Sequence, residues 1–225
     1  MPGGGAVVMS RANAKVLAPL PRRLPAEAFS QPDPVIAARY FIGKTLFVRD
    51  LSSATRSITA GVITEAEAYG GAEDRACHGF NNRRTPRTEV MFGPGGAAYV
   101  YLCYGIHWMM NIVTGPANSP MAVLIRAVEV TQGADLVAAR RPGVPRRHWS
   151  SGPGKVAMAM AISNAHNGSD LRDGSDIWLE DHGHVAEDQH VSIGPRVGVE
   201  SAGEWALKPW RFLWKPPVPP ELGHP

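Results

Sequence analysis

Read as apolar and polar positions, the chain breaks into short blocks joined by glycine- and proline-rich stretches. Asp33 and Pro34 supply an N-cap and a first-turn proline, residues 35–41 are largely apolar, and Gly43 follows as a stop, which predicts a short helix. Residues 45–49 and 59–69 predict two strands, the second longer. Side chains alternate along a strand, so Glu65, Glu67 and Tyr69 are expected on one face. Residues 99–114 read Y-V-Y-L-C-Y-G-I-H-W-M-M-N-I-V-T, with three tyrosines (Tyr99, Tyr101, Tyr104) in the first six positions. Their β-branched and aromatic content predicts a hairpin broken near Tyr104 and Gly105. Residues 121–130 form a nearly continuous apolar run, a buried strand whose one cation is Arg126. Helices are expected over 131–141 and 156–162, the latter entered through Gly152-Pro153-Gly154-Lys155, and late strands over 177–180 and 191–199.

The connecting stretches differ in character. Residues 70–94 are polar, with Gly, Pro, Asn and Arg, and predict a long functional loop with one helical turn around 73–77. Residues 142–149 form a basic, proline-bearing loop. Residues 1–28 are expected to be a flexible Gly/Pro-rich tail and 216–225 a proline-rich C-terminal tail. No composition break falls inside 34–215, so a single mixed α/β domain over 29–215 is expected.

Composition narrows the class. With 225 residues and 44% hydrophobic content, one domain with a sizeable core is feasible. No apolar run reaches the roughly 18 residues of a membrane span, and the N-terminus lacks a signal-peptide core. A soluble cytoplasmic protein is expected, nucleoid-associated in a bacterium. Cys77 and Cys103 make no disulfide framework and are expected as buried small residues. The net charge of +3 is modest but clustered at Arg83, Arg84 and Arg87 and at Arg140, Arg141, Arg146 and Arg147, which suits a polyanion. Asp181-His182-Gly183-His184 has metal-binding residue types but no further ligand at a recognised spacing, so it reads as a polar turn. No metal and no cofactor are expected.

Candidate chemistry centres on Glu67. A carboxylate flanked by alanines, on a face shared with Tyr69, can act as a general base or stabilise a developing cation. Glu65 lies roughly 6.5–7 Å away along the strand. That spacing suits a glycosidase-like carboxylate pair, and a structural pairing with an arginine suits Glu65 equally. Arg126, a lone charge in an apolar strand, needs a buried partner, for which Glu65 and Glu67 are the candidates. His78 follows Glu73 and Asp74, either of which could hold its tautomer. Gly152-Pro153-Gly154-Lys155 lacks the P-loop pattern and at most touches a phosphate. These residues alone leave open a noncatalytic nucleic-acid-binding module, or a hydrolase of small glycosides or nucleosides using Glu65 and Glu67.

Six blocks in order resemble the alkyladenine (3-methyladenine or methylpurine) DNA glycosylases. They are E-A-E-A-Y-G-G-A-E-D-R-A-C-H from Glu65, R-T-P-R-T-E-V-M-F from Arg84, the tyrosine hairpin from Tyr99 to Asn111, V-L-I-R-A-V-E from Val123, S-G-P-G-K from Ser151, and R-V-G-V-E-S-A-G-E-W-A-L-K-P-W-R-F from Arg196. The resemblance spans roughly residues 34–215. It implies a curved antiparallel sheet with flanking helices and a protruding, DNA-intercalating β-hairpin. It implies a monofunctional glycosylase that uses no cofactor: a damaged purine (3-methyladenine, 7-methylguanine, hypoxanthine or ethenoadenine) is flipped from duplex DNA and its N-glycosidic bond hydrolysed. It implies that Glu67 activates the water, that Arg126 and the backbone carbonyl of Val197 hold it, and that Tyr69, His78 and Tyr101 enclose the flipped base. Tyr104 would fill the gap in the stack, and Asn111 would crowd a guanine 2-amino group. The partner implied is double-stranded DNA, bound by a monomer, with no membrane. The chain departs from the pattern at Ile106 and His107, which bears on how the wedge seats, and at Cys77, where a small alanine is common.

Overall fold

The computed structural model describes residues 22–217 and 220. The strands in chain order are β1 (Arg22–Arg23), β2 (Thr45–Arg49), β3 (Ile58–Tyr69), β4 (Ala98–Cys103), β5 (His107–Thr114), β6 (Met121–Gln132), β7 (Ile177–Asp181), β8 (Val191–Gly194) and β9 (Arg211–Trp214). The α-helices are α1 (Pro34–Phe41), α2 (Ala134–Arg140) and α3 (Pro153–Met160), and several 3-10 turns lie between these elements. The strands form one antiparallel sheet in the order β1-β7-β2-β3-β6-β5-β4, with β9 pairing both β3 and β8. The fold is the mixed α/β domain with a curved antiparallel sheet that the resemblance implies.

Strand β3 is the axis of the sheet. Its first half pairs with β2 and its second half with β9, while β6 runs along the opposite edge. The β3–β6 ladder carries two compensating irregularities around Glu65: Ile63 faces Val128, Glu65 faces Ala127, and Ala66 faces Ile125. Thr64 and Arg126 are therefore the extra residues, one on each strand. A bulge of this kind bends a strand and re-aims a side chain. Here the Arg126 carbonyl leaves the ladder and accepts the Gly152 N–H at 2.8 Å.

Helix α1 forms where expected. Asp33 Oδ1 accepts the N–H groups of Val35 (2.8 Å) and Ile36 (3.4 Å), a cap contributing about 1 kcal/mol. The helix ends before Gly43, whose φ of +87° only glycine adopts cheaply and whose added Cβ would meet the His184 carbonyl. Its buried Ala37, Ala38 and Phe41 join Leu46, Ile63, Ile125, Met160, Ile177 and Leu179 in the main core. A second cluster of Cys77, Met91, Phe92, Tyr99, Val113 and Ala122 lies against Tyr69 and Tyr101 and supports the functional end of the sheet.

Several boundaries differ from expectation. The tail expected over residues 1–28 falls outside the described residues only up to 21: Arg22 and Arg23 pair with Asp181 and Glu180, and Leu24 is buried. The strand expected over 191–199 ends at Gly194, because Pro195 cannot donate to a ladder. The helix expected over 131–141 starts at Ala134, since β6 runs on to Gln132 and Gly133 turns the chain at φ +73°. In residues 70–94 the helical turn lies at Gly71–Glu73, with two more 3-10 turns at Phe80–Asn82 and Glu89–Phe92.

Candidate active site

At the β3 C-terminal end the sheet, residues 76–78 and residues 197–199 line a cavity of about 390 Å³. Tyr69, His78, Tyr101, Tyr104, Asn111, Arg126 and Val197 all line it, so seven of the eight candidate residues meet at one place. The eighth, Glu67, is fully buried behind that wall. The period-two reading of β3 holds: the Tyr69 hydroxyl donates to Glu67 Oε2 at 3.0 Å.

The bulge explains how one arginine reaches two carboxylates. Arg126 Nε donates to Glu65 Oε1 at 3.1 Å and its Nη1 to Glu67 Oε2 at 3.3 Å. Glu65 also accepts from Arg211 Nη1 at 3.1 Å. The result is a chain of alternating charge, Arg211–Glu65–Arg126–Glu67, which places Glu65 in the arginine-paired, structural arrangement. Glu67 Oε1 accepts the Val197 N–H at 2.8 Å. Burial pushes the Glu67 carboxyl above its ordinary range, opposed by Arg126, the Val197 N–H and the Tyr69 hydroxyl. Val197 thus meets Glu67 through its amide; its carbonyl role remains an implication of the resemblance.

His78 is held differently from the expectation that Glu73 or Asp74 would fix its tautomer. Its Nδ1 lies 2.8 Å from the Tyr99 hydroxyl, and its ring is edge-on to Tyr101 with centroids 4.6 Å apart. Burial, then Arg87 and Arg83, pushes the imidazole down to about 4, so it is neutral at physiological pH. Asp74 is committed elsewhere. It accepts both Arg196 Nη groups, Nη2 to Oδ1 at 2.9 Å, with both side chains fully buried. It also accepts the N–H groups of Gly70 and Ala76, which fixes the turn leading to His78.

Arg196 is the residue that pattern reading passes over. It sits inside a resemblance block, yet no periodicity marks it as buried. Its guanidinium lies 4.8 Å from the Tyr69 ring centroid and 5.0 Å from that of Trp210, and it donates to the Ala68 and Trp205 carbonyls. Tyr99 is likewise buried, and its hydroxyl holds His78. Asn111 donates to the Tyr99 carbonyl at 3.1 Å, which fixes its amide in the cavity wall.

Tyr104 stands apart. It is 90% exposed at the hairpin tip, with φ +50°, followed by Gly105 at φ +71°, and Ile106 N–H closes the turn on the Cys103 carbonyl. Positive φ at both central positions is what a type I′ hairpin turn demands. A bulky aromatic in that conformation is strained by about 1–3 kcal/mol. Exposed Ile106 and Leu102 flank it on the same tip.

The basic clusters differ in their partners. Arg140 is tied to Asp50 at 2.9 Å and to Thr59, Arg146 faces Glu129, and Arg84 pairs with Glu89. Arg83 and Arg87 are exposed, and Arg87 lines the cavity, 4.8 Å over the Tyr101 ring. Asp181 ends β7 and binds Lys44, and His182 packs on Phe47. Among the described residues, no helix is long and apolar enough to cross a membrane.

The family model described as Methylpurine-DNA glycosylase (MPG) matches residues 28–217. Similar proteins include one from Bacillus velezensis, 41% identical over 192 residues, which cover 84% of this chain and 91% of that relative. One from Methanocella arvoryzae is 42% identical over 193 residues, 85% of this chain and 92% of the relative. One from Chlamydia felis is 37% identical over 195 residues, 84% and 95% respectively. All three carry the name "Putative 3-methyladenine DNA glycosylase". With the matched span running from before α1 through β9, the chain belongs to the methylpurine-DNA glycosylase family.

Proposed function

We propose that the protein is a monofunctional DNA glycosylase of base excision repair that removes alkylated or deaminated purines from duplex DNA. The observation that carries this reading is a buried carboxylate, Glu67, whose hydrogen-bond partners Tyr69, Arg126 and Val197 all line an aromatic-walled cavity. The cavity volume falls in the range of small-ligand sites. A base inside a duplex must leave the stack to be attacked, and extrusion costs a few kcal/mol. Tyr69, His78 and Tyr101 enclose the extruded purine, each stacked ring returning about 1–3 kcal/mol. Asn111 crowds the 2-amino position of guanine.

The chemistry is hydrolysis. Glu67 accepts a proton from water held with the help of Arg126 and the Val197 backbone. The water oxygen bonds to C1′, the glycosidic bond breaks, and its electron pair leaves with the purine. The same carboxylate steadies the oxocarbenium-like sugar. No lysine is among the described residues lining the cavity, which supports water over an amine as nucleophile. Release of free base from duplex oligonucleotides, each carrying a single 3-methyladenine, 7-methylguanine, hypoxanthine or ethenoadenine, tests the reading. Intact oligonucleotides throughout would refute it, and hydrolysis of free nucleosides at equal rates would replace it with a nucleoside hydrolase.

Tyr104 supplies the wedge. Its strain and exposure are unfavourable in the free protein, and both are offset when the ring enters the vacated stack. Tyr104→Ala is expected to slow single-turnover excision from a fully paired duplex by roughly tenfold or more, given the cost of unstacking. A lesion in single-stranded DNA, already unstacked, should be affected far less. Equal effects on both substrates would rule out the wedge.

A further inference from the structure

Tyr69 makes two contacts of different kinds. One ring face rests on the Arg196 guanidinium, itself fixed by Asp74 and by the Ala68 and Trp205 carbonyls. The hydroxyl reaches back along β3 to Glu67 Oε2. A tyrosine needed only as a stacking surface has no use for a hydroxyl aimed away from solvent at a carboxylate.

The groups facing Glu67 show that this hydroxyl is not redundant. From β3 come Glu65 and Tyr69, from β6 Arg126, from β4 Tyr101, and from the segment after β8 the Val197 N–H. Arg211 on β9 faces Glu65 and not Glu67. Glu65 opposes the charge on Glu67. Arg126 divides its guanidinium between the two carboxylates, and its bond to Glu67, at 3.3 Å, is the longest of the three that Glu67 accepts. Oε1 is taken by the Val197 amide, leaving Tyr69 and the shared Arg126 to satisfy Oε2.

We propose that the Tyr69 hydroxyl is a positioning group for the hydrolytic step, holding Glu67 ionised and in place, so that one side chain joins the wall of the base pocket to the reactivity of the general base. The inference rests on the reading of Glu67 as the base. Tyr69 is suited to remain a donor: burial and the neighbouring Glu67 both push its phenol well above the ordinary value. A hydrogen bond to an ionised acceptor is strong enough to move that acceptor's titration by about one to two pH units.

Tyr69→Phe isolates the hydroxyl, because it keeps the ring, the Arg196 contact and the stacking surface. Single-turnover excision of ethenoadenine from one duplex is measured from roughly pH 5 to pH 9, alongside lesion-duplex affinity and thermal unfolding. Any titration of the substrate is common to both proteins. Loss of a donor to the carboxylate raises its pKa, so the acid limb of the variant should move up by about one to two pH units. The rate deficit should reach tenfold or more at the foot of the limb and shrink on the plateau, with affinity within about threefold of wild type. A uniform deficit at every pH, or an unmoved limb, overturns the inference while leaving the glycosylase reading intact. A wild type that releases no base overturns both.

Discussion

Glu67→Gln is expected to lower base release on the order of 10²–10⁴-fold while lesion-duplex binding survives. The charge is what the substitution removes. Glu67 accepts from Val197 on one oxygen and from Tyr69 and Arg126 on the other. An amide has one acceptor end, so whichever way the glutamine turns, its NH2 group meets a donor. Leaving one donor unsatisfied costs about 1–3 kcal/mol. Relief from burying a carboxylate whose pKa is already pushed up by desolvation acts in the opposite direction. The fold should therefore persist, and Arg126 retains Glu65. Excision of a single lesion under single-turnover conditions, set beside fluorescence anisotropy on the same duplex, separates chemistry from binding. Excision near the wild-type rate would remove Glu67 from the role of base.

The largest loss of stability is expected from Arg196→Met. The variant leaves the Asp74 side chain fully buried, without its countercharge. Breaking a buried ion pair from one side costs about 3–5 kcal/mol, roughly 10 °C of Tm in a domain of this size. Asp74 keeps the Gly70 and Ala76 amides, which softens the effect without replacing a guanidinium. Catalysis should fall beyond the folded fraction, because the rear support of Tyr69 and the residue adjoining Val197 go together. A double-mutant cycle with Asp74→Asn distinguishes the pair from general damage: the second substitution should cost far less in the variant background than alone. Strict additivity, or a single-variant loss under about 1 kcal/mol, would contradict this account.

Much of this was legible in the sequence because it depends on local periodicity. Glu67 and Tyr69 share a face since strand side chains alternate. Arg126 announces itself as one charge in an apolar run. The hairpin break follows from Gly105. What escaped depends on contacts between distant segments. Asp74 and Arg196 are 122 positions apart, and nothing near either residue signals the partner. For the same reason Asp74 invited assignment to its near neighbour His78, whose actual partner is Tyr99 on β4. The paired irregularities in β3 and β6 leave no composition signal, because Thr64 and Arg126 are ordinary members of strands. Pro195, by contrast, was a readable stop to β8.

The alternating order Arg211–Glu65–Arg126–Glu67 bears on how such a site can change over time. Removing any one member leaves an odd charge in a buried place, so most single substitutions at these four positions are losses on their own. Variation there must arrive in compensating pairs, and a library of single substitutions would show the four positions as immovable. Tyr104, Ile106 and Leu102 on the exposed hairpin tip carry no such constraint. A search for altered lesion choice should therefore begin at the tip, and reach the charged row only with two positions varied at once.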